Sequence, residues 1–425
     1  MDQEVNPVLA HTDVVTLLPG EVALTAIDQP VKPEQPTLEN PALLEPSWRG
    51  VTAMMLGVTA LLTAEFLPSG LLTPIARDLG VSPGLAGQAV TATSLAGLVG
   101  ALFTPTLTRS FNRKPVLLSF SILLVISNLL VALAPNITFL LTARIVLGLA
   151  IGGFWAMAAA TTIRLVPPSL VPRALSIVMS GIPAAMIIAV PLGSYLGEVA
   201  GWRSVFLLAT AFGAAVFVVQ AMVLPRLAPK GEAGLGTLID ILARPGIGAG
   251  ILAATLVFTG HFGYFGYIRP FLESVTGLGA AGVAVTLLAF GIANYLGSFV
   301  SGLMAERNLK LTLIAMPLMI SVLGLLLSVF GAAVIPALAL VALWGFAFSG
   351  VPVATTTWIT RMVPDETESG TGLTVASIFL GITMGAAGGG LVLDVVGAPA
   401  VFVAGAIPLV IAVLLIAAKV RTRPL

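Results

Sequence analysis

Long apolar runs alternate with short polar segments along most of the chain. The first run, residues 51–72, would span roughly 33 Å as an α-helix, about the thickness of a bilayer core. Six such runs precede a Gly- and Pro-rich connection at residues 225–246, and six follow it. The pattern predicts an all-α membrane protein with twelve transmembrane helices. They are expected near residues 51–72, 86–107, 115–134, 138–160, 174–196, 203–224, 247–268, 281–303, 311–330, 336–360, 371–393 and 399–418.

Composition agrees with a membrane protein and excludes several other classes. Only 9% of the 425 residues are charged, against roughly 25% in soluble domains, and the mean hydropathy is +1.06. The formal net charge of +1 gives no sign of a nucleic-acid partner. There is no Cys, and His11 and His261 are the two His, so no disulfide, metal site or cofactor is expected. The lipid bilayer is the partner that the composition indicates.

The distribution of charge predicts the topology. Residues 1–47 hold eight of the nineteen acidic residues and are predicted to form a disordered acidic tail. If this tail is cytoplasmic, fifteen Lys and Arg fall on the cytoplasmic side, whereas Arg77, Arg203 and Arg269 fall outside. The positive-inside rule therefore predicts that both termini are cytoplasmic. In the connection, one face of a short surface helix is predicted from Leu235, Leu238, Ile239 and Leu242.

The two halves of the chain repeat each other at an offset of 197 residues. Gly80 matches Gly277, and Gly148 matches Gly345. Because an even number of spans separates the matched positions, the copies keep the same orientation and form a parallel repeat. We therefore predict six-helix bundles at residues 48–224 and 247–425, joined by a cytoplasmic linker at 225–246, with a site between them at the middle of the membrane.

Two charged residues lie within the apolar runs and are the first functional candidates. Glu65 lies beyond the midpoint of the first run, too deep to reach water, and membrane-embedded acids usually mark ion or substrate paths. The alternative is a protonated Glu that is hydrogen-bonded to a neighbouring helix. Arg144 needs a buried acceptor, and Glu65 is the only acid in the helices of the same half, so the two are predicted to pair.

His261 is a third candidate for proton transfer. Subtracting 197 gives position 64, one residue from Glu65, so both side chains are expected to approach the central cavity at similar depth. A carboxyl group and an imidazole placed there can take a proton from one side and release it to the other. The alternative is a hydrogen-bonded core histidine.

The loops and helices carry motifs that resemble those of the major facilitator superfamily. PTLTRSFNRK resembles its loop motif GxLxDRxGRK and keeps Arg113 and Lys114, but it has Arg109 and Asn112 where the family has Asp and Gly. The copy in the second half is closer, and the resemblance implies a charge relay that holds the inward gate there. Topology alone also accounts for most of these charges. The matching residues of the second copy are Gly302, Glu306, Arg307 and Lys310.

Two membrane helices narrow the resemblance. RIVLGLAIGGFWA resembles the RxxxGxxxG helix with Arg144 and Gly148, and VPLGSYLGE resembles the antiporter signature GPxxGG with Pro191 and Gly193, although Val190 replaces the first Gly. The chain is similar to the drug:proton antiporter branch and, within it, to exporters of purine ribonucleosides. The stretches that carry this similarity are EFLPSGLLTPIARDLGVS, RLVPP, GWRSVF, YIRP and TWITR.

The resemblance implies a monomeric inner-membrane antiporter that exports neutral purine nucleosides, such as inosine and guanosine, in exchange for protons by alternating access. Aromatic rings and an amide suit the flat faces and polar edges of a purine, so six residues are predicted to touch substrate. At helical spacing, such residues can equally serve only for packing. The six are Phe154, Trp155, Phe258, Tyr264, Tyr267 and Asn294.

Other functions stay open at this point. An exporter of sugars or drugs would share the same motifs, and a transport-inactive sensor would share the same fold. An intramembrane hydrolase would need a nucleophile with a base, for which only His261 is available, and it would leave the repeat unexplained.

Overall fold

The computed structural model describes residues 45–108, 110–228 and 235–422. Most of the predicted tail, together with Arg109, lies outside these residues. The first half contains α1 (Trp48–Leu79), α2 (Pro83–Leu107), α3 (Arg113–Ala132), α4 (Ile137–Ile163), α5 (Val171–Met179), α6 (Gly181–Leu196) and α7 (Trp202–Val223). The connection contains α8 (Leu235–Ala243). The second half contains α9 (Ile247–Phe265), α10 (Ile268–Ser274), α11 (Ala280–Arg307), α12 (Leu309–Phe330), α13 (Val334–Met362), α14 (Thr367–Val395) and α15 (Ala398–Lys419).

The helices confirm the predicted all-α membrane architecture. Within the described ranges, eleven helical stretches are long and apolar enough to cross a membrane, and one of them, Arg173–Val223, has 51 residues. At 1.5 Å per residue that stretch is about 77 Å long, enough for two crossings. A π-helical turn, Gly197–Gly201, divides it, and Gly201 has a φ of 81° where the chain enters α7. The helices therefore make twelve crossings, with α9 and α10 together forming one.

The 197-residue repeat is present in the packing. A methyl group on Gly148 of α4 would overlap the carbonyl of Thr93 on α2, and one on Gly345 of α13 would overlap the carbonyl of Phe290 on α11. These two contacts correspond at an offset of 197 residues. In each half, the second and fourth crossings therefore approach each other at the same place, because glycine leaves room for the facing backbone.

The helices from Trp48 to Lys419 belong to one compact unit, Ala42–Leu425. The two halves meet where α2 packs along α14 and where α6 packs along α11. One hydrophobic cluster runs through both halves. We call the end of the bundle near Trp48 and Lys419 the terminal face and the opposite end, near Leu79 and Val395, the distal face.

The short helix predicted in the connection exists as α8, but the face assigned to it is wrong. Ile241 is fully buried against the core, whereas Ile239 is 69% exposed. The short apolar stretch offers branched side chains on every side, and contact with the bundle selects the side that is buried.

Candidate functional site

Glu65 lies in the interior of the bundle on α1. Its side chain is 4% exposed, and its Oε1 has no hydrogen-bond partner among the described residues. The next residue, Phe66, meets Phe265 of α9 edge-on with ring centroids 5.9 Å apart. The residue that follows Glu65 therefore lies where the two halves meet.

Arg144 is fully buried on α4 and reaches the backbone of α1 beside Glu65. Its Nη1 donates to the carbonyl of Ala64 at 2.8 Å, and its Nη2 donates to the carbonyl of Glu65 at 3.2 Å. Its Nε donates to the carbonyl of Ala89 on α2 at 3.4 Å. The planar guanidinium thus joins α4 to two neighbouring helices.

This structure shows no ion pair between Arg144 and the Glu65 carboxylate among the described contacts, so their pairing in another conformation stays a prediction. Pro68 explains the difference, because proline has no backbone N–H and leaves the carbonyl four residues earlier, that of Ala64, without its helical donor. The buried guanidinium supplies the missing donor. The Glu65 side chain keeps a carboxyl oxygen that no described residue binds.

His261 lies in an aromatic cluster formed by α9, α11 and α13. Its ring stacks on Phe348 with centroids 3.3 Å apart, and its Nδ1 accepts a hydrogen bond from Trp344 Nε1 at 3.1 Å. Because Nδ1 accepts, the hydrogen of a neutral imidazole lies on Nε2, which has no partner among the described residues. His261 is thus packed between rings rather than exposed to an open cavity, and it shares the neighbour Phe265 with Phe66, the residue that follows Glu65.

The predicted substrate residues separate into two groups, and the first lies near the middle of the bundle. Phe258 meets Phe348 edge-on at 6.1 Å and so belongs to the cluster around His261. Phe154 is fully buried in the first half, where a methyl group on Gly57 would touch its ring. Trp155 is partly buried against the same core.

The second group makes internal contacts elsewhere. The Tyr264 ring packs against Phe402 and Trp344 inside the second half, and its hydroxyl has no described partner. Tyr267 donates its hydroxyl hydrogen to the carbonyl of Ala386 at 2.5 Å, near the distal face. Asn294 donates from Nδ2 to the carbonyl of Gly345 at 3.0 Å and joins α11 to α13. No described contact joins these three side chains directly to Phe154 or Phe258, although Tyr264 and His261 share the neighbour Trp344.

Gln220 is a fully buried polar residue that the sequence reasoning missed. On α7, its Oε1 accepts from Ser121 Oγ at 2.5 Å, and its Nε2 donates to the carbonyl of Ala53 at 3.2 Å. The same Nε2 lies beside Gly57, next to Phe154. An amide within an apolar helix is rare enough in membrane proteins to have been a usable signal. Phe262 and Phe265, spaced around His261 on α9, were a second signal.

The motif residues in α4 and α6 serve close helix packing next to Glu65. A methyl group on Gly148 would overlap α2, as described above, and one on Gly193 would come within 2.8 Å of Leu67. Gly70 of α1 likewise faces the carbonyl of Val190, next to Pro191 inside α6. These contacts bring α4 close to α2, and α6 close to α1, the helix that carries Glu65.

In the first loop motif, Asn112 replaces the Gly of the family pattern and makes hydrogen bonds that fix the loop. Asn112 caps α3, because its Oδ1 accepts from the backbone N of Lys114 at 3.0 Å and from the backbone N of Leu227 at 3.3 Å. Arg113 Nη1 donates to the carbonyl and hydroxyl oxygens of Thr108 at 3.3 Å. The asparagine thus ties this loop to the segment that follows α7.

The charge relay expected in the second copy of the motif is not formed. Glu306 and Arg307 are exposed at the end of α11, and neither takes part in an ion pair with another described residue. Lys310 donates from Nζ to the carbonyl of Ala417 at 3.2 Å. A methyl group on Gly302 would touch nothing within 4 Å. The terminal face of this structure therefore lacks that closing contact, since the acid and the base both remain in solvent.

The interior combines features that suit transfer of a proton and a flat molecule better than covalent chemistry. A carboxyl oxygen without a described partner lies on α1, and the residue that follows Glu65, Phe66, contacts the aromatic cluster of the second half through Phe265. Among the described residues, no group of three His, Cys, Asp or Glu side chains can hold a metal ion.

Comparison with known proteins gives three results. The family model described as Major Facilitator Superfamily matches residues 54–377. The chain is 40% identical over 382 residues to the purine ribonucleoside efflux pump NepI of Escherichia coli (strain K12), covering 90% of this chain and 96% of that protein. It is also 40% identical over 382 residues to NepI of Shigella dysenteriae, covering 90% of this chain and 97% of that protein. The crystal structure of the human organic anion transporter MFSD10 (TETRAN) is similar over 88% of this chain and 100% of its own, with a TM-score of 0.65 and 16% identity.

Proposed function

The chain belongs to the Major Facilitator Superfamily, and we propose that within it this transporter exports purine ribonucleosides, such as inosine and guanosine, from the cytoplasm in exchange for protons. The observation that carries the proposal is the 40% identity, over nearly the full length of both proteins, to a pump named for the efflux of purine ribonucleosides. The 16% identity to the human anion transporter supports the fold alone.

Proton exchange is assigned to Glu65. Its carboxyl oxygen without a described partner lies in the interior, where a proton can be held or released without breaking a side-chain ion pair. Arg144 holds α1 in place at this point through backbone carbonyls and supplies a fixed positive charge. His261, which contacts Phe265 beside Phe66, is the second proton-binding candidate.

Substrate binding is assigned to the aromatic cluster around His261. Phe258, Phe348 and the His261 imidazole form adjoining flat surfaces, on which a nucleobase can stack. Phe154 and Trp155 are the candidates from the first half, and the Phe154 ring lies near Gln220, because both are close to Gly57. Tyr264, Tyr267 and Asn294 stay predictions whose contacts in this structure are structural.

Orientation follows from charge. The positive-inside rule places both termini in the cytoplasm and the distal face outside the inner membrane, since Arg77, Arg203 and Arg269 are the three basic residues at that face. We propose the six-helix halves 48–224 and 247–425, with the linker 225–246, as the two bodies that rock about this site, and a monomer as the working unit.

The test is proton release in inverted membrane vesicles. With an imposed acidic interior, adding inosine or guanosine should alkalinise the vesicle interior, whereas sugars and cationic drugs should not. The matched control is Glu65→Gln, which keeps the shape of the side chain without its proton exchange. A response to sugars or drugs, with none to nucleosides, would reject the substrate class but retain the antiport mechanism.

A further inference from the structure

The described polar side-chain contacts between the two halves are unevenly distributed. Every described side-chain hydrogen bond or ion pair that joins the first half to the second lies at the distal face, and three residues of the second half make all of them. These residues are Arg269 and Glu273 on α10 and Asp394 near the end of α14.

Arg269 is the centre of this set. It is 1% exposed, and its Nη1 donates to the carbonyl of Gly70 on α1 and to Ser194 Oγ on α6 at 3.2 Å. Its Nη2 forms an ion pair with Glu198 in the π-helical turn at 3.3 Å. In its own half, Nε donates to Glu273 at 2.7 Å. All three nitrogens are therefore engaged, and two of them hold the opposite half.

Proline again explains the choice of acceptor on α1. Pro74 has no N–H, so the carbonyl of Gly70 lacks a helical donor, and Arg269 supplies one. If the distal face opened, this carbonyl would lose the guanidinium and would need water in its place. The closed arrangement thus satisfies a polar group that α1 itself leaves unpaired.

Asp394 makes a second, separate connection. Its Oδ1 accepts from the backbone N of Gly84 at 2.9 Å, and its Oδ2 accepts from Ser82 Oγ at 2.5 Å. Ser82 is the N-cap of α2, so a carboxylate of one half completes the cap of a helix in the other. A negative charge at a helix N-terminus is favourable, because it faces unpaired N–H groups.

We propose that Arg269 and Asp394 form a latch that keeps the distal face closed, and that both connections must break before the protein can open there. Glu273 keeps the guanidinium in its own half when the faces separate, and its bond from Thr73 Oγ1, at 2.5 Å, parts with the latch. The latch regulates the proposed transport cycle and so rests on that function, but the closed state can be measured without any substrate.

The absence of Cys makes a direct distance measurement possible. Spin labels at Leu133→Cys and Val396→Cys, both exposed at the distal face in opposite halves, report the separation of the halves by pulsed electron paramagnetic resonance. In lipid nanodiscs the parent protein should show one short distance. In Arg269→Gln, a longer distance should gain population by about tenfold or more, because a hydrogen bond to a charged group commonly shifts an equilibrium by that factor.

The matched control is Arg203→Gln. Arg203 is also at the distal face and pairs with Asp78, but both belong to the first half, so the distance should not change. Asp394→Asn and Glu198→Gln are milder variants, for use if Arg269→Gln does not fold. Each should shift the distance in the same direction, and the pair together should shift it further.

An unchanged distance distribution in Arg269→Gln, or in the two milder variants combined, would overturn the latch. A shift equal to that of Arg203→Gln would also overturn it, since the effect would then be a general loss of charge. The spin-label measurement uses no nucleoside. If the vesicle assay shows no response to inosine or guanosine, but Arg269→Gln lengthens the spin-label distance as expected, the proposed substrate is rejected and the latch is retained.

Discussion

Two buried arginines bind the same helix, six residues apart, and do so for the same reason. Arg144 donates to the carbonyl of Ala64, which Pro68 leaves unpaired, and Arg269 donates to the carbonyl of Gly70, which Pro74 leaves unpaired. Both guanidinium groups are almost completely inaccessible to solvent. The first comes from α4 of the same half, whereas the second comes from α10 of the other half.

The acids around the two arginines differ. Arg269 is bound by two carboxylates, Glu198 and Glu273, while Arg144 donates only to backbone carbonyls and leaves the Glu65 carboxyl group without an ion pair. Both carboxylates around Arg269 are occupied by a guanidinium that also contacts the opposite half, whereas Oε1 of Glu65 has no described partner. Under the proposed function, the Arg144 region therefore serves proton exchange and the Arg269 region holds the two halves together.

Changing the acid in each region should separate coupling from closure. We expect Glu65→Gln to insert and fold but to lose accumulation against a gradient completely, because the amide keeps the shape of the side chain but cannot exchange a proton. Glu273→Gln should still accumulate nucleoside. The measurement is nucleoside accumulation driven by an imposed proton gradient. Uphill transport by Glu65→Gln at the parental level would contradict the role of Glu65.

Membrane potential tests the proposed exchange of a neutral nucleoside for one proton, because that exchange moves a net charge. Inosine is neutral at pH 7, so its exchange for one proton moves a net positive charge. A potential of 100 mV then corresponds to about 2.3 kcal/mol, or roughly a fiftyfold concentration ratio. In proteoliposomes without a pH difference, a potential negative on the side that receives the proton should drive nucleoside to the opposite side. No response to potential, together with a response to pH, would reject a one-proton exchange of a neutral substrate.

The guanidinium of Arg144 should matter for its shape as well as its charge. Arg144→Lys keeps the charge but cannot reach the carbonyls of α1 and α2 together, and we expect transport to fall by about tenfold or more, given the usual strength of hydrogen bonds to charged groups. Arg144→Ala should be worse, because the freed carbonyls then have no donor. Transport rate and thermal unfolding in detergent check this order. Near-normal behaviour of both variants would show that the bridge to α1 is dispensable.

The exposed ion pair between Arg203 and Asp78 provides the smallest expected effect. Both side chains are about two-fifths or more accessible to solvent and lie within one half. Exposed pairs contribute little, so Asp78→Asn should change the transport rate by no more than about twofold. Initial rates at saturating and limiting nucleoside measure it. A large loss would mean that ion pairs within one half at the distal face matter as much for transport as those between the halves.

The sequence alone determined the architecture, because hydrophobic length and charge asymmetry act locally. Runs of helical length predicted the twelve crossings, and the offset of 197 residues predicted the repeat that the matching contacts of Gly148 with α2 and of Gly345 with α11 display. It also indicated that Arg144 must meet α1 near Glu65, since a buried guanidinium needs an acceptor. Pro68 and Pro74 could have indicated the two acceptor carbonyls, because each proline leaves the carbonyl four residues earlier without its helical donor.

Only the tertiary structure decided which atoms meet. The side chain of Arg144 could reach either the Glu65 carboxylate or the carbonyl beside it, and the position of α4 relative to α1 selected the carbonyl. His261 accepts a hydrogen bond from Trp344, and Asn294 donates one to the carbonyl of Gly345, because helices far apart in the chain pack together. Arg269 was counted in the sequence only as a basic residue on one side of the membrane. Its acceptors lie on α1 and α6, about 70 to 200 residues away along the chain, and they come together because the two halves close at the distal face.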